Sequence, residues 1–135
     1  MHELITDAKT ENLDEVLDFL DGHLEEWDCP MKAVTQINIA AEEIFVNIAH
    51  YAYGEEGAGR AKISIARDGG SAVITFTDSG TPYNPLEKPD PDVTLSAEDR
   101  QIGGLGIYIV KKSMDAVNYE HRDGQNIFTM RKEIA

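Results

Sequence analysis

The apolar positions change period along the chain, and the changes mark out its elements. In "TENLDEVLDFLDGHLEEW" they fall at 13, 16, 17, 20, 24 and 27, the spacing of one helical face, with Thr10 or Asn12 available as a cap and Pro30 as the stop. A second helix is expected from about Met31 to Tyr53, where "GEEGAG" ends it. At ~100° per residue, its core face carries Ile37, Ala41, Ile44, Phe45, Ile48 and Ala52. The period then drops to two. "RAKISIARD" alternates Ala61, Ile63 and Ile65 with polar partners, "SAVITFTDSG" alternates Ala72, Ile74 and Phe76, and the intervening "RDGG" suggests an antiparallel hairpin. "GLGIYIVKKSMDAV" reads as a glycine-rich entry into a third helix, and "VNYEHRDGQNIFTMRKEI" as a closing hairpin through "RDGQ". "ELITDA" fits a short edge strand. Three helices and two strand pairs predict an α+β sandwich, one sheet with helices on one face.

Composition narrows the class. At 135 residues the chain suits one domain, 1–135, with a single core, and 41% hydrophobic with 27% charged residues is ordinary for a packed protein. Twelve basic against twenty-five acidic residues give a net charge of −13, which disfavours direct nucleic-acid and membrane-surface binding. A small phosphorylated ligand remains compatible if backbone N–H groups and a divalent cation neutralise it. A single cysteine, Cys29, excludes an intrachain disulfide and a multi-cysteine zinc site, and no stretch approaches the ~18 apolar residues of a membrane span. A cytoplasmic location is expected.

Three segments could carry chemistry. In "EEIFVNIAHYAY" the residues Glu43, Asn47 and His50 share a face beside the core stripe. They are either a solvated flank, or an asparagine oxygen for a hard cation with a glutamate that takes a proton from a hydroxyl or water. "TFTDSGTPYNP" puts Asp78 at a strand end two residues before Gly80. This is either a turn signal or a carboxylate for an exocyclic amine beside a glycine that lets a flat ring approach. In "IGGLGIYIVKKS", Gly103, Gly104 and Gly106 precede an apolar helical run, which serves structure or offers N–H groups to phosphate. The segment matches neither the P-loop nor the dinucleotide fingerprint. From Thr81 to Ile102 the chain carries four of its five prolines and many charges, and reads as a long loop. The histidines, His2, His23, His50 and His121, lack metal-ligand spacing, and Tyr51 and Tyr53 suit packing better than a stacking platform.

Taken in order, "EEIFVN", "DSGTPYNP" and "DRQIGGLGIYIV" resemble the N, G1 and G2 boxes of the ATPase domain of gyrase B, Hsp90, histidine kinases and MutL. The short form and the wording "DSGTPYNPLE" and "GGLGIYIVKKSMDAVNY" resemble the bacterial anti-sigma factor serine kinases, over roughly residues 5 to 134. The resemblance implies a Bergerat-type fold with a mixed, mostly antiparallel sheet, and ATP between helices and sheet under a lid at about 81–103. It implies Glu43 as general base, Asn47 as magnesium holder, Asp78 and Gly80 at the adenine, and Gly104, Leu105 and Gly106 at the phosphates. Arg100 falls where family lids carry an arginine near the terminal phosphate. The implied reaction is transfer of the γ-phosphoryl group of ATP to a serine of a small anti-anti-sigma (STAS-type) partner, coupled to sequestration of a sigma factor, with a possible homodimer. Two departures stand out. Tyr51 occupies the place of a family histidine, which leaves open a nucleotide-binding regulatory module without phosphoryl transfer, and Asn84 replaces the usual aspartate of the G1 wording.

Overall fold

The computed structural model describes residues 1–52, 59–87 and 105–134, with Leu105 described by its backbone. The elements run β1 (His2–Asp7), α1 (Leu13–Glu26), α2 (Met31–Asn47), β2 (Arg60–Asp68), β3 (Ser71–Asp78), α3 (Leu105–Ser113), β4 (Ala116–Arg122) and β5 (Gln125–Glu133). The expected edge strand, three helices and two hairpins are all present. Helix α1 begins after a 3-10 turn at Thr10–Asn12. Asn12 holds the cap position without a side-chain cap bond; its Nδ2 donates instead to the Asp7 carbonyl at 3.0 Å, which ties the helix entry back to β1. Helix α2 stops being regular at Asn47 and continues as a π-helical turn over Ile48–Ala52; the expected end at Tyr53 lies outside the described residues.

The sheet order is β1-β2-β3-β5-β4, and every pairing described is antiparallel. A mixed sheet was expected, and the topology explains the difference. Strands β3 and β4 run in the same direction, but β5 lies between them, so no parallel ladder forms.

Alternation along the strands decides which face is buried. Ile65, Ile74 and Met130 form one cross-strand row, Ile63, Phe76 and Phe128 the next, and Ala61, Asp78 and Asn126 the third. All nine are buried. The two apolar rows face the buried sides of the helices, Val16, Leu20 and Leu24 of α1, Ile37, Ala41, Ile44 and Phe45 of α2, and Ile107 and Val110 of α3. The third row ends the core in a buried carboxylate and a carboxamide, and it is there that the helix and sheet layers leave room for a ligand. Cys29 is half-buried after α1, and burial pushes its thiol pKa up, which keeps it in the unreactive protonated form at neutral pH.

Helix α2 is the middle of the helical layer and packs on both α1 and α3. Phe45→Ala removes a fully buried ring and is expected to cost about 3–5 kcal/mol. Ile39→Ala, on a face of the same helix that is 48% exposed, is expected to cost less than about 1 kcal/mol. Urea unfolding of the two variants checks this, and equal costs would contradict the orientation of α2.

Candidate functional site

The core stripe of α2 fixes where its polar residues point. With Ile44 and Ile48 buried, Glu43 and Asn47 are half-buried at the edge of the stripe, one turn apart, and Asn47 Nδ2 donates to Glu43 Oε1 at 3.3 Å. This bond orients the amide, because a carboxylate oxygen accepts and only the nitrogen of the amide donates. The Asn47 carbonyl oxygen is left to face a ligand or a hard cation. His50 does not join the pair. It lies in the π-helical turn, where the wider i→i+5 pitch shifts the phase that a 3.6-residue repeat would give, and it is exposed.

Asn47 opens onto a cleft with ≈ 380 Å³ of empty space, its mouth included, between α2 and the sheet. Ile44, Ile48, Ala52, Phe76 and Phe128 make its apolar wall, while Asp78, Asn126, Thr81 and Tyr119 bring polar groups to it. A mostly apolar cleft with a few fixed polar groups suits a flat heteroaromatic ring. Asp78 is only 5% exposed. Its Oδ1 accepts the Gly80 N–H at 2.9 Å and the Asn126 Nδ2 at 2.9 Å, so the buried carboxylate is held by two donors.

Gly80 is required by close approach. A side-chain carbon there would overlap the Ala52 carbonyl, which accepts the Thr81 N–H at 2.6 Å and so joins the end of the α2 extension to the strand end. Gly106, in the first turn of α3, is a second close approach, this time against the Glu43 carboxylate. Glu43 therefore stands between α2 and α3, where the helix dipole of α3 favours a negative charge. Leu105 is the first residue of α3. Arg100, Gly104 and the lid segment from 88 onward lie outside the described residues.

Both departures from the family wording have a structural reading. Asn84 Oδ1 accepts the Leu86 N–H at 2.9 Å and starts the 3-10 turn Pro85–Glu87, an acceptor's task that asparagine performs as aspartate would. The Tyr51 ring, 52% exposed, stacks on Tyr83 with centroids 5.4 Å apart. Tyr83 lines the cleft, so this aromatic pair borders it.

Asn126 escaped the sequence reading. The signal was present in "NIFTM", where Asn126, Phe128 and Met130 share a face, and a polar residue ending an apolar strand stripe repeats the pattern of Ala72, Ile74, Phe76 and Asp78. That the two stripes end opposite one another depends on the β3–β5 register, Asp78↔Asn126.

A helical layer on an antiparallel sheet, with a buried aspartate, a glutamate–asparagine pair and a cleft between the layers, defines a Bergerat-type nucleotide-binding domain. The chain belongs to the histidine kinase-like ATPase domain family, whose profile matches residues 6–132. It is 25% identical over 99 residues to the serine/threonine-protein kinase BtrW of Bordetella bronchiseptica, covering 73% of this chain and 70% of that protein. Among solved structures, the RsbU and RsbW domains of a Mycobacterium tuberculosis protein align with a TM-score of 0.64 at 15% identity over 99% of this chain, which spans only 33% of that longer chain. The SiaB–SiaC complex of Pseudomonas aeruginosa aligns with a TM-score of 0.63 at 19% identity, covering 99% of this chain and 90% of that one. The catalytic domain of the histidine kinase ThkA gives 0.56 at 16% identity, covering 99% and 98%. These likenesses share the fold. Membership of an ATPase family implies ATP binding. No helix among the described residues is long and apolar enough to cross a membrane.

The two glycines are expected to behave differently. Gly80→Ala meets backbone and should cost about 1–3 kcal/mol of stability. Gly106→Ala meets only the end of a flexible glutamate, so stability should change by less than about 1 kcal/mol while the Glu43 carboxylate is displaced. Chemical denaturation of both variants checks the contrast, and a reversed order would contradict it.

Proposed function

We propose that the protein is an ATP-dependent protein serine kinase that phosphorylates a small STAS-type anti-anti-sigma partner and sequesters a sigma factor. The observation that carries this reading is the Glu43–Asn47 pair, hydrogen-bonded one turn apart on α2, with Asn47 lining the same cleft as Asp78 and Glu43 beside it against Gly106. The similarity to a serine/threonine-protein kinase of comparable length supports the same chemistry.

In this reading Asp78, held by the Gly80 N–H, accepts a hydrogen bond from the adenine amine, and the phosphates extend toward the start of α3. Gly104, Leu105 and Gly106 bring backbone to the phosphates, and Arg100 offsets charge on the transferred group. The residues present fit Mg2+, since the Asn47 oxygen is the hard, neutral ligand left over once its nitrogen is committed to Glu43. The ion would neutralise phosphate oxygens when bound. The serine Oγ–phosphorus bond forms as the bond from the γ-phosphorus to the β–γ bridging oxygen breaks; ADP leaves, and Glu43 takes the hydroxyl proton. Positioning and electrostatics account for most of the rate in such a transfer.

A second reading, a nucleotide-binding regulatory module without transfer, has one observation in its favour. Tyr51 stands at the position of a family histidine and is engaged with Tyr83 at the cleft.

Glu43→Gln is expected to keep nucleotide binding and lower phosphoserine formation on a STAS-type partner by about 10²–10⁴-fold. Transfer at the wild-type rate would remove Glu43 from the base role. Asn47→Ala is expected to abolish the magnesium-dependent part of nucleotide affinity, measured by calorimetry with and without the metal. An unchanged metal dependence would overturn the assignment.

A further inference from the structure

We propose that Asn126, oriented by Tyr119, is a specificity-determining positioning residue: it fixes Asp78 as a hydrogen-bond acceptor toward the bound base and thereby selects 6-amino over 6-oxo purines. This rests on the nucleotide reading above.

The orientation of the Asn126 amide is set by two groups that cannot exchange roles. The Tyr83 backbone N–H only donates, and it meets Oδ1 at 3.3 Å; the Thr81 carbonyl only accepts, and it meets Nδ2 at 3.0 Å. The Tyr83 N–H also reaches the Tyr119 oxygen at 3.3 Å, and the Tyr119 hydroxyl donates in turn to Asn126 Oδ1. With donors on the oxygen side of the amide, its nitrogen must face Asp78 as a donor, and it does so at 2.9 Å from Oδ1. That oxygen also accepts the Gly80 N–H. One oxygen of the carboxylate is thus filled from within the protein, and the other is left for the ligand.

The chain of donors runs one way, from Tyr119 on β4 through Asn126 on β5 to Asp78 on β3. Asp78 and Asn126 are 5% and 6% exposed, so reversing the chain would strand polar groups away from water. A 6-amino group completes it by donating to Asp78. A 6-oxo group at the same place sets an acceptor against an acceptor.

Asn126→Asp has the same shape and the opposite effect. It removes the fixed amide donor, and two carboxylates at this separation share a proton that can reside on either one, so Asp78 is no longer held as an acceptor toward the base. Tyr119→Phe removes only the hydroxyl and leaves the amide to the Tyr83 N–H. The test is calorimetric titration of wild type, Asn126→Asp and Tyr119→Phe with ADP and with IDP, both with Mg2+, after circular dichroism has established folding. Wild type is expected to prefer ADP by ~10²-fold or more, Asn126→Asp to lose at least tenfold of that preference, and Tyr119→Phe to lose severalfold. A preference unchanged in both variants overturns the proposal and leaves the nucleotide reading standing, including the case where both affinities fall by the same factor. Should Asn126→Asp fail to fold, Tyr119→Phe decides alone. Wild type that binds neither nucleotide overturns the nucleotide reading itself, and the proposal with it.

Discussion

The rotational setting of α2 on the sheet is the constraint from which the site follows. Its buried stripe, Ile37, Ala41, Ile44, Phe45 and Ile48, can face the strand rows in one way only, because any other rotation would expose Phe45 and bury Glu42. A buried unpaired glutamate and an exposed ring would together cost several kcal/mol, a large part of the stability of a domain this size. The alanines Ala33, Ala40 and Ala41, all buried, keep the helix slim where it meets its neighbours. Once the stripe is docked, Glu43 and Asn47 have no freedom to be elsewhere. The same packing holds Glu43 against Gly106, so the start of α3 is referenced to α2 as well.

The opposite wall obeys a second constraint, the register of β3 with β5. A one-residue slip would turn Asp78 and Asn126 to opposite faces, break their hydrogen bond and leave the carboxylate without one of its two donors. Apolar rows below them, Ile74 with Met130 and Phe76 with Phe128, make that slip expensive by burying the wrong set of side chains. The polar end of the cleft is therefore stabilised by apolar pairing further along the same strands.

Much of this was legible in the sequence. The core face of α2 and the two hairpins followed from periodicity alone, since burial imposes a period of 3.6 on a helix and of 2 on a strand. The joint position of Glu43 and Asn47 followed from one turn of helix geometry. Three features did not. The π-helical turn at Ile48–Ala52 leaves no compositional mark, so His50 was placed with Glu43 and Asn47 when it projects to solvent. The placement of β5 between β3 and β4 is a matter of topology, and it makes the described sheet wholly antiparallel. Asn126 depends on strand pairing between segments 48 residues apart, which no local pattern encodes.

The central claim is that the cleft between α2 and the sheet takes an adenine nucleotide. Thermal unfolding with and without Mg2+ and excess ADP tests it most directly, because a ligand that binds only the folded chain must raise the midpoint. At ~100 times the dissociation constant the added stability is about 2.7 kcal/mol, a shift of several degrees for a domain of this size. The expected result is that rise in wild type and its loss in Asp78→Ala; a midpoint unmoved by millimolar nucleotide in the wild-type protein would contradict the claim.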